Sequence, residues 1–294
     1  MKHTSVCQLF SGNNLLNSHF WYTIYDSYLN LKDFKIIKLL TFLTKLFHFL
    51  PSELSHSLAL IGLKVAISLG FSIKESENHK GLQLLNCHFR NSLGIAAGLD
   101  KNGDFIDSLS ALGFGFLEIG TVTPKPQNGN QKPRLYRDKP SKAIINSMGF
   151  NNKGVNHLVK KLKKRKSVIP IGVSIGKNFD TPNDLAIKDY LYCLDKVFEE
   201  ADYIAINVSS PNTKDLRSFE IKKELESLIK PLKERQIELS NEHGYKPLFL
   251  KISPDNNERG IEDICRVLLR FSIDGLICGN TTINHNHFSG SGGL

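Results

Sequence analysis

The sequence has few cysteines, and their spacing argues against two common kinds of site. Its five cysteines are scattered along 294 residues with no C-x-x-C pair among them. This spacing excludes a zinc ribbon and the disulfide framework of a small secreted domain. It is typical of a protein that folds in a reducing cytoplasm. We therefore predict that the protein has no metal site.

The sequence also lacks a secretory signal and an apolar run long enough to cross a membrane. Residues 1–30 mix polar and aromatic side chains, without a basic, an apolar and a small-residue region in that order. Two apolar segments follow, at 33–47 and at about 53–69. Each is shorter than the roughly 20 apolar residues that a membrane-spanning helix needs, and each carries charge.

These two segments predict a helical hairpin with an unusually large apolar surface. Pro51 separates the two helices, and the first helix carries Lys35, Lys38 and Lys45. A basic, apolar hairpin suits contact with a membrane surface or with a lipophilic ligand. Packing of both helices on the main domain is an equally good interpretation, and the pattern alone does not choose between the two.

Positive charge is the strongest bias in the composition. The net charge is +9, and much of it lies in one run at 160–166. Such a run can indicate a nucleic-acid-binding module, but this one is short and has no aromatic residues between its lysines. The solvated end of a helix is the better interpretation. We predict no nucleic-acid partner.

The rest of the chain reads as a soluble α/β domain in which strands and helices alternate. Apolar residues make up 40% of the chain and charged residues 23%, which is ordinary for a globular fold. Near-continuous apolar strands separated by helices indicate a parallel sheet that is covered on both faces. The predicted strands are 93–97, 116–121, 171–175, 203–208, 248–252 and 275–278. The predicted helices between them are 102–112, 153–166, 182–200, 220–241 and 258–270.

Six such units in series, with polar residues after each strand, predict a (β/α)8 TIM barrel rather than an open doubly wound sheet. No G-x-G-x-x-G motif follows the first strand, which argues against a dinucleotide-binding fold. A closed barrel of this kind needs eight units, so we expect the last two strand–helix units to be missing from this chain. The predicted organisation is an N-terminal extension at 1–30, the helical hairpin at 31–72 and an incomplete barrel at 73–294.

The segment 203–213 shows how polar residues are placed in this pattern. It reads YIAINVSSPNT, which begins as a buried strand and turns polar before Pro211, a residue that cannot continue a central strand. Asn207, Ser210 and Asn212 therefore follow the C-terminal end of a strand, where barrel enzymes have their active sites. Taken alone, this segment is better explained as a loop of ordinary turn formers.

The candidate site residues at the strand ends are rich in amides and include Lys101, Lys251 and Ser210, with no histidine among them. Amides in such number suit a planar ligand with alternating donors and acceptors, while Lys101 and Lys251 suit a carboxylate or an electron-rich ring. Ser210 has no histidine within its motif, so a hydrolase triad is not indicated. Lys251 lies in an apolar run, where burial requires a partner for its charge.

These segments resemble the dihydroorotate dehydrogenases, specifically the membrane-associated, quinone-linked class 2. The matching motifs are AAGLDK at 96–101, GTVTPKPQ at 120–127, NSMGFNN at 146–152, IGKN at 175–178, INVSSPNT at 206–213, LKISPD at 250–255 and NTT at 280–282. The resemblance spans roughly residues 40–294. It implies a (β/α)8 barrel with flavin mononucleotide (FMN) at the C-terminal ends of the strands. It also implies that the helical hairpin admits a lipid quinone and contacts the membrane.

The resemblance implies a role for each matched residue. Ser210 matches the catalytic base, which takes a proton from a ring carbon of dihydroorotate, and Thr213 is placed to help it. Lys251 is expected to face the electron-accepting end of the flavin ring. The implied FMN-binding set is Ala96, Ala97, Gly98, Leu99, Asp100, Lys101, Thr121, Ser174, Asn207, Lys251 and Gly279. The implied substrate-binding set is Lys101, Asn146, Ser147, Met148, Gly149, Phe150, Asn207, Asn212, Asn280 and Thr281.

Two of these positions depart from the family. Ser174 stands where an asparagine is usual, and Gly279 stands where a threonine is usual. The family's FMN phosphate is held by glycine-rich loops and a helix N-terminus in the units that we expect to be missing.

The predicted function is the oxidation of (S)-dihydroorotate to orotate, with FMN as hydride acceptor and a membrane quinone as electron acceptor, in de novo pyrimidine biosynthesis. The alternative is a truncated, non-catalytic remnant of the family that cannot retain FMN. The resemblance further implies peripheral attachment to the cytoplasmic side of the inner membrane in a bacterium, or to the mitochondrial inner membrane in a eukaryote.

Overall fold

The computed structural model describes residues 47–70, 81–140, 142–213, 215–284 and 292–294. The helices in these ranges are α1 (Ser52–Ser68), α2 (Ile106–Ser110), α3 (Val155–Leu162), α4 (Ala186–Val197), α5 (Lys222–His243) and α6 (Glu258–Arg270). The strands are β1 (Leu82–Leu84), β2 (Cys87–Phe89), β3 (Gly94–Ile95), β4 (Phe116–Val122), β5 (Leu135–Asp138), β6 (Ala143–Asn146), β7 (Ile171–Ile175), β8 (Tyr203–Asn207), β9 (Leu248–Ile252) and β10 (Gly275–Cys278).

Six of these strands form one curled parallel sheet in the order β3-β4-β7-β8-β9-β10. They are the six strands that the sequence predicts, and each neighbour in the sheet is also the next of the six along the chain. Neighbouring parallel strands joined through helices are the arrangement of a TIM barrel. The predicted TIM-barrel-like α/β fold is therefore confirmed.

The two faces of this sheet differ in chemistry because side chains alternate along a strand. One face packs against the helices and forms the hydrophobic core. Its strand residues are Leu117, Ile119, Ile171, Val173, Ile175, Ile204, Ile206, Leu248, Leu250 and Ile252. The other face carries small, aromatic or polar residues, including Glu118, Ser174, Tyr203, Asn207 and Lys251. The barrel interior is thus the polar face on which a site can be built.

The helices between the strands of the sheet follow the prediction in number and order, but three of them, α2, α3 and α4, are shorter than predicted. Helix α2 begins at Ile106 rather than at 102, since the Asp100 carboxylate accepts hydrogen bonds from the backbone N–H groups of Asn102, Asp104 and Phe105. These bonds hold the preceding residues in turns. Helix α3 ends at Leu162, before most of the basic run.

The basic run after α3 is partly neutralised by carboxylates. Lys161 lies 3.0 Å from Asp104, and Arg165 lies 3.5 Å from Asp202. Lys163 lies 3.9 Å from Glu200. Three of the six basic residues of the run thus have a carboxylate partner.

Two short antiparallel hairpins were not predicted from the sequence. Strands β1 and β2 pair with each other, and so do β5 and β6. Their strands have only three or four residues each, which is too short for a clear alternation of apolar and polar residues. The second hairpin matters for function because β6 ends at Asn146 and delivers the predicted substrate loop to the barrel mouth.

Helix α1 corresponds to the second predicted helix of the hairpin, and residues 33–46 of the first lie outside the described ranges. One side of α1 packs on the barrel through buried Leu60. Its N-terminal end is held by Glu53, whose carboxylate binds the guanidinium of buried Arg134 at 2.6 and 3.3 Å. No helix in the described ranges is long and apolar enough to cross a membrane.

Candidate active site

Three side chains at the ends of neighbouring strands form a buried hydrogen-bonded row. Thr121 Oγ1 lies 2.8 Å from Ser174 Oγ and accepts a hydrogen bond of 2.7 Å from Asn207 Nδ2. All three residues are nearly inaccessible to solvent. The shift in strand register between Gly120 and Val122 turns Thr121 toward this row. Position 174, where the family usually has an asparagine, therefore joins the row through the Ser174 hydroxyl instead of through an amide.

The row continues across the barrel mouth to the loop after β10. Asn207 Oδ1 accepts hydrogen bonds from the backbone N–H and the hydroxyl of Ser209, at 3.2 and 3.1 Å. Asn280 Nδ2 then donates to Ser209 Oγ at 2.9 Å. Four strand ends are linked in this way, which fixes the orientation of the two predicted ligand amides, Asn207 and Asn280.

Ser210 lies directly after this row and is 7% exposed. Its Oγ accepts a 3.3 Å hydrogen bond from the backbone N–H of Asn212, which leaves its own hydrogen available to another acceptor. Thr213 Oγ1 is buried and has no hydrogen-bond partner among the described residues. A buried hydroxyl without a partner needs a water molecule or a ligand to satisfy it. The neighbourhood of Ser210 is therefore polar and incompletely satisfied.

The predicted substrate loop meets the Ser210 segment through two amides. Asn212 Nδ2 donates to the carbonyl oxygen and to Oδ1 of Asn146, at 3.1 and 3.2 Å. Asn146 also exchanges backbone hydrogen bonds with Gly293, at 2.9 and 2.8 Å. The structure thus brings together Asn146 and Asn212, which are far apart in the sequence.

The other residues of this loop are held through their backbones. Ser147 N–H donates to the Arg134 carbonyl at 2.8 Å, and the Met148 and Gly149 carbonyls accept from Asn130 N–H and Gln127 Nε2. Phe150 is buried. These contacts fix the path of the loop, and they leave the side chains of Ser147 and Met148 half-exposed.

The loop after β3 forms an open floor of small residues. Ala96 is exposed, and Ala97 and Gly98 are half-exposed. A Cβ atom placed on Gly98, which has φ +114°, would meet no atom within 4 Å. Asp100 is buried beneath this floor, and burial raises the pKa of its carboxyl.

Lys101 projects from the same loop and donates a 2.9 Å hydrogen bond to the Gly98 carbonyl. Burial and the nearby Arg134 guanidinium lower the pKa of Lys101 to about 8. The bond from Lys101 to Gly98 joins two members of the predicted FMN-binding set. Leu99, also in the predicted FMN set, is 37% exposed, and nearby His56 of α1 has its pKa lowered by burial and by the charge of Lys101.

Lys251 has the partner that its burial requires. Its Nζ lies 3.4 Å from Oε1 of Glu118, and the hydroxyl of Tyr203 donates to Oε2 of Glu118 at 3.4 Å. Tyr203 reaches across β7 because Gly172 lies between them in register, and a Cβ on Gly172 would come within 2.0 Å of the tyrosine ring. The three side chains form a buried, charged cluster below the row of Asn207.

These features fit a flat, polar cofactor. The floor of Ala96, Ala97 and Gly98 lets a planar group approach the backbone closely. The hydroxyls and amide of the buried row supply donors and acceptors at its edge, and Lys251 supplies a positive charge. Gly279 adds no side chain, and a Cβ there would lie 3.3 Å from the Ile252 carbonyl.

Comparison with known proteins identifies the family. The family model described as dihydroorotate dehydrogenase matches residues 81–291. The chain belongs to the dihydroorotate dehydrogenase family. Members of this family are flavin-dependent.

Relatives of this family are similar over most of the chain. The dihydroorotate dehydrogenase (quinone) of Acinetobacter baylyi is 50% identical over 236 residues, which cover 80% of this chain and 70% of that protein. The enzyme of the same name from Vibrio parahaemolyticus is 46% identical over 254 residues, covering 83% and 76%. A crystal structure of the dihydroorotate dehydrogenase of Eimeria tenella in complex with ferulenol matches with a TM-score of 0.71. That structure is 33% identical, and the match covers 80% of this chain and 68% of the other.

Sequence reasoning missed several residues that organise the site. Glu118 carried a usable signal, because it is a charge within an apolar strand just as Lys251 is. Ser209 lay inside a matched motif but was assigned no role. Arg134 and Arg217 had no local signal for their ion pairs, since the carboxylate partners Glu53 and Asp255 are 81 and 38 residues away. In a dihydroorotate dehydrogenase, these residues hold the predicted ligand-binding side chains in place and are not themselves additional ligands.

Proposed function

We propose that this chain oxidises (S)-dihydroorotate to orotate and passes the electrons through FMN to a membrane quinone, as a step of de novo pyrimidine biosynthesis. The observation that carries this proposal is the buried Ser210 shortly after β8, whose neighbour Ser209 binds the amides of Asn207 and Asn280. The names and high identity of the relatives support the same reaction. The alternative, a non-catalytic remnant of the family, is not better supported than this reaction.

In this proposal, Ser210 takes a proton from a ring carbon of dihydroorotate. Bound FMN supplies the acceptor for the hydride that leaves the adjacent carbon. A serine hydroxyl is a weak base, so it must pass a proton onward as it accepts one. The unpartnered Thr213 Oγ1 is buried in the same segment and suits the next position of such a relay, directly or through a water.

The amides hold the substrate ring in this proposal. Asn146, Asn207, Asn212 and Asn280 offer donors and acceptors that match the two carbonyl and two N–H groups of dihydroorotate. Lys101 binds its carboxylate, for which the ammonium is largely charged below pH 8. The backbone-held Ser147, Met148, Gly149 and Phe150 close over the ring, together with Thr281.

The cofactor is placed on the floor of small residues. Ala96, Ala97, Gly98 and Leu99 support the flat flavin ring, with Asp100 shaping the loop from below. Thr121, Ser174 and Asn207 bind its polar edge, and Gly279 leaves room beside it. Lys101 and Lys251 supply positive charge, which stabilises an electron-rich ring.

Flavin absorbance tests the function directly. The purified chain is expected to bind FMN with an absorbance band at about 450 nm, as bound flavins do. This band should bleach on anaerobic addition of dihydroorotate and return when a soluble quinone is added. L-lactate, which has a carboxylate but no amide ring, is the control and should leave the band unchanged. A protein that binds FMN but is not bleached by dihydroorotate would refute the proposed reaction.

Helix α1 is proposed as the membrane contact and the quinone entry. The side of α1 that faces away from the barrel exposes a stripe of apolar side chains at helical spacing: Leu54, Leu58, Ile61, Val65 and Leu69. Such a stripe suits insertion into the interface of a bilayer. On the other side, half-buried His56 and the Leu99 loop lie between α1 and the barrel floor. In this proposal, the hairpin comprises residues 31–72 and the FMN-binding barrel residues 73–294. The hairpin attaches the protein to the inner membrane.

Vesicle binding tests the contact through α1. Replacing both Leu58 and Ile61 by glutamate is expected to lower co-sedimentation with phospholipid vesicles by at least about tenfold, since two exposed apolar side chains no longer enter the bilayer. Val168→Glu, which changes an exposed apolar residue outside α1, is the control. Equal binding by the double variant and the control would contradict the assignment.

A further inference from the structure

Arg217 occupies the centre of three loops at the barrel mouth. It lies in a short 3-10 turn, Leu216–Glu220, which follows the Ser210 segment. Its Nε donates to the Ser209 carbonyl at 3.0 Å, and its Nη2 donates to the Thr281 carbonyl at 2.9 Å. Its Nη1 pairs with Asp255 Oδ2 at 2.7 Å. One side chain thus joins the loops after β8, β9 and β10.

Asp255 anchors the same arrangement from the loop after β9. Its carboxylate also accepts hydrogen bonds from the Thr282 hydroxyl and from the Ile283 N–H, the latter at 3.0 Å. The Arg217–Asp255 pair is about one-fifth exposed on each side. The two residues therefore brace the loop of Thr281 and Thr282 against the loop of Ser209 and Ser210.

The hydrogen bond from Arg217 to the Ser209 carbonyl lies next to the predicted catalytic base, Ser210. The Ser209 carbonyl belongs to the peptide bond that leads directly into Ser210. A guanidinium holds three acceptors in a fixed plane, which a lysine ammonium cannot do. Displacing a reacting group by about 1 Å can lower a rate about 100-fold. A residue that fixes the Ser209–Ser210 peptide would therefore act on the proton-transfer step.

We propose that Arg217, held by Asp255, is a positioning residue that fixes the catalytic Ser210 relative to the substrate-binding loop at Thr281. This inference rests on the proposed function, because it assumes that Ser210 takes a proton from the substrate. Arg217 itself touches neither substrate nor cofactor in this proposal. Its action passes through the Ser209 and Thr281 carbonyls.

The test uses the full chain with Arg217→Gln, Arg217→Lys and Asp255→Asn. We expect Arg217→Gln to lower the rate of flavin reduction by dihydroorotate, counted per bound flavin, by about 100-fold. Arg217→Lys should recover part of the rate because it keeps the charge near Asp255. Asp255→Asn keeps both carbonyl contacts of Arg217 and should lower the rate by less, about tenfold.

Three further measurements separate positioning from general damage. The dissociation constant of orotate should rise by less than about fivefold, and reoxidation of the reduced flavin by a soluble quinone should change by less than about twofold, because neither requires Ser210 as a base. Deuterium uptake at the backbone amides of Ser209 and Asn212, measured without ligand, should rise in Arg217→Gln. Deuterium uptake needs no flavin, so it tests whether Arg217 holds the Ser209–Asn212 segment in place even if the chain is found to hold no flavin.

Asn183→Ala is the matched control. Asn183 Nδ2 binds the same turn from its outer side, through the Asp215 carbonyl at 2.9 Å and Ser218 Oγ at 3.2 Å, but it reaches neither the Ser209 nor the Thr281 carbonyl. It should lower stability without slowing flavin reduction per bound flavin. Equal rate losses in Asn183→Ala and Arg217→Gln, or unchanged amide exchange in Arg217→Gln, would overturn the inference. Failure of the unaltered chain to be bleached by dihydroorotate would instead overturn the proposed function.

Discussion

Replacing Ser210 by alanine is expected to lower the rate of dihydroorotate oxidation by about 10²–10⁴-fold, the usual contribution of a positioned general base. Alanine removes the hydroxyl that would accept the substrate's proton. The Asn212 N–H would lose its hydrogen bond to Ser210 Oγ. Because this bond is partly exposed, its loss should lower the stability of the fold only slightly. The loss should therefore fall on the chemical step and not on folding.

The measurement is the anaerobic rate of flavin bleaching, together with orotate titration of the same sample. Orotate should bind Ser210→Ala within about threefold of the unaltered chain, because the surrounding amides remain. Ser227→Ala, a change of an exposed hydroxyl on α5, is the control that should alter neither quantity. A Ser210→Ala rate within about twofold of the original would show that another group takes the proton.

A cysteine at position 210 refines this test. A free thiol titrates at about 8.5, far below a serine hydroxyl, so it can act as a base without the same relay. The Ser210→Cys variant should thus retain a measurable rate that rises with pH toward this value. A Ser210→Cys variant as slow as Ser210→Ala at every pH would argue that the geometry at this position, rather than its basicity, limits the reaction.

Replacing Glu118 by glutamine is expected to destabilise the fold by about 3–5 kcal/mol, the usual cost of removing one partner from a buried ion pair. Glu118 and Lys251 are both nearly inaccessible to solvent, and their charged atoms lie 3.4 Å apart. Without the carboxylate, the Lys251 ammonium is left in the barrel interior without a counter-charge. Tyr203 would also lose a charged acceptor for its hydroxyl.

Thermal unfolding measures this effect, and for a chain of this size the midpoint should fall by about 10 °C. The double variant Glu118→Gln with Lys251→Met should be less destabilised than Glu118→Gln alone, because no unpaired charge remains. Glu262→Gln is the control, since its pair with Arg266 is about two-thirds exposed and such pairs contribute little. A Glu118→Gln midpoint equal to that of the control would mean that Lys251 finds another partner or water.

Much of the fold could be predicted because it depends on local patterns. The strands β4, β7, β8 and β9 have runs of β-branched and aliphatic residues that are mostly buried, as is usual in a parallel sheet, and β10 has a similar run that is only half-buried. Their bounds agree with the prediction to within one residue. The hairpins β1–β2 and β5–β6 were missed because three or four residues are too few for a pattern.

The sequence by itself determined the order of strands and helices and the family to which the chain belongs, because both follow from residues that are neighbours along the chain. It also placed Ser210, Asn207 and Asn280 at strand ends. Only the tertiary structure decided which of them touch and what holds them in place. Glu118 and Lys251 are 133 residues apart, and Arg217 and Asp255 are 38 apart. Such pairs depend on which strands and loops become neighbours in the sheet, and no local pattern records that.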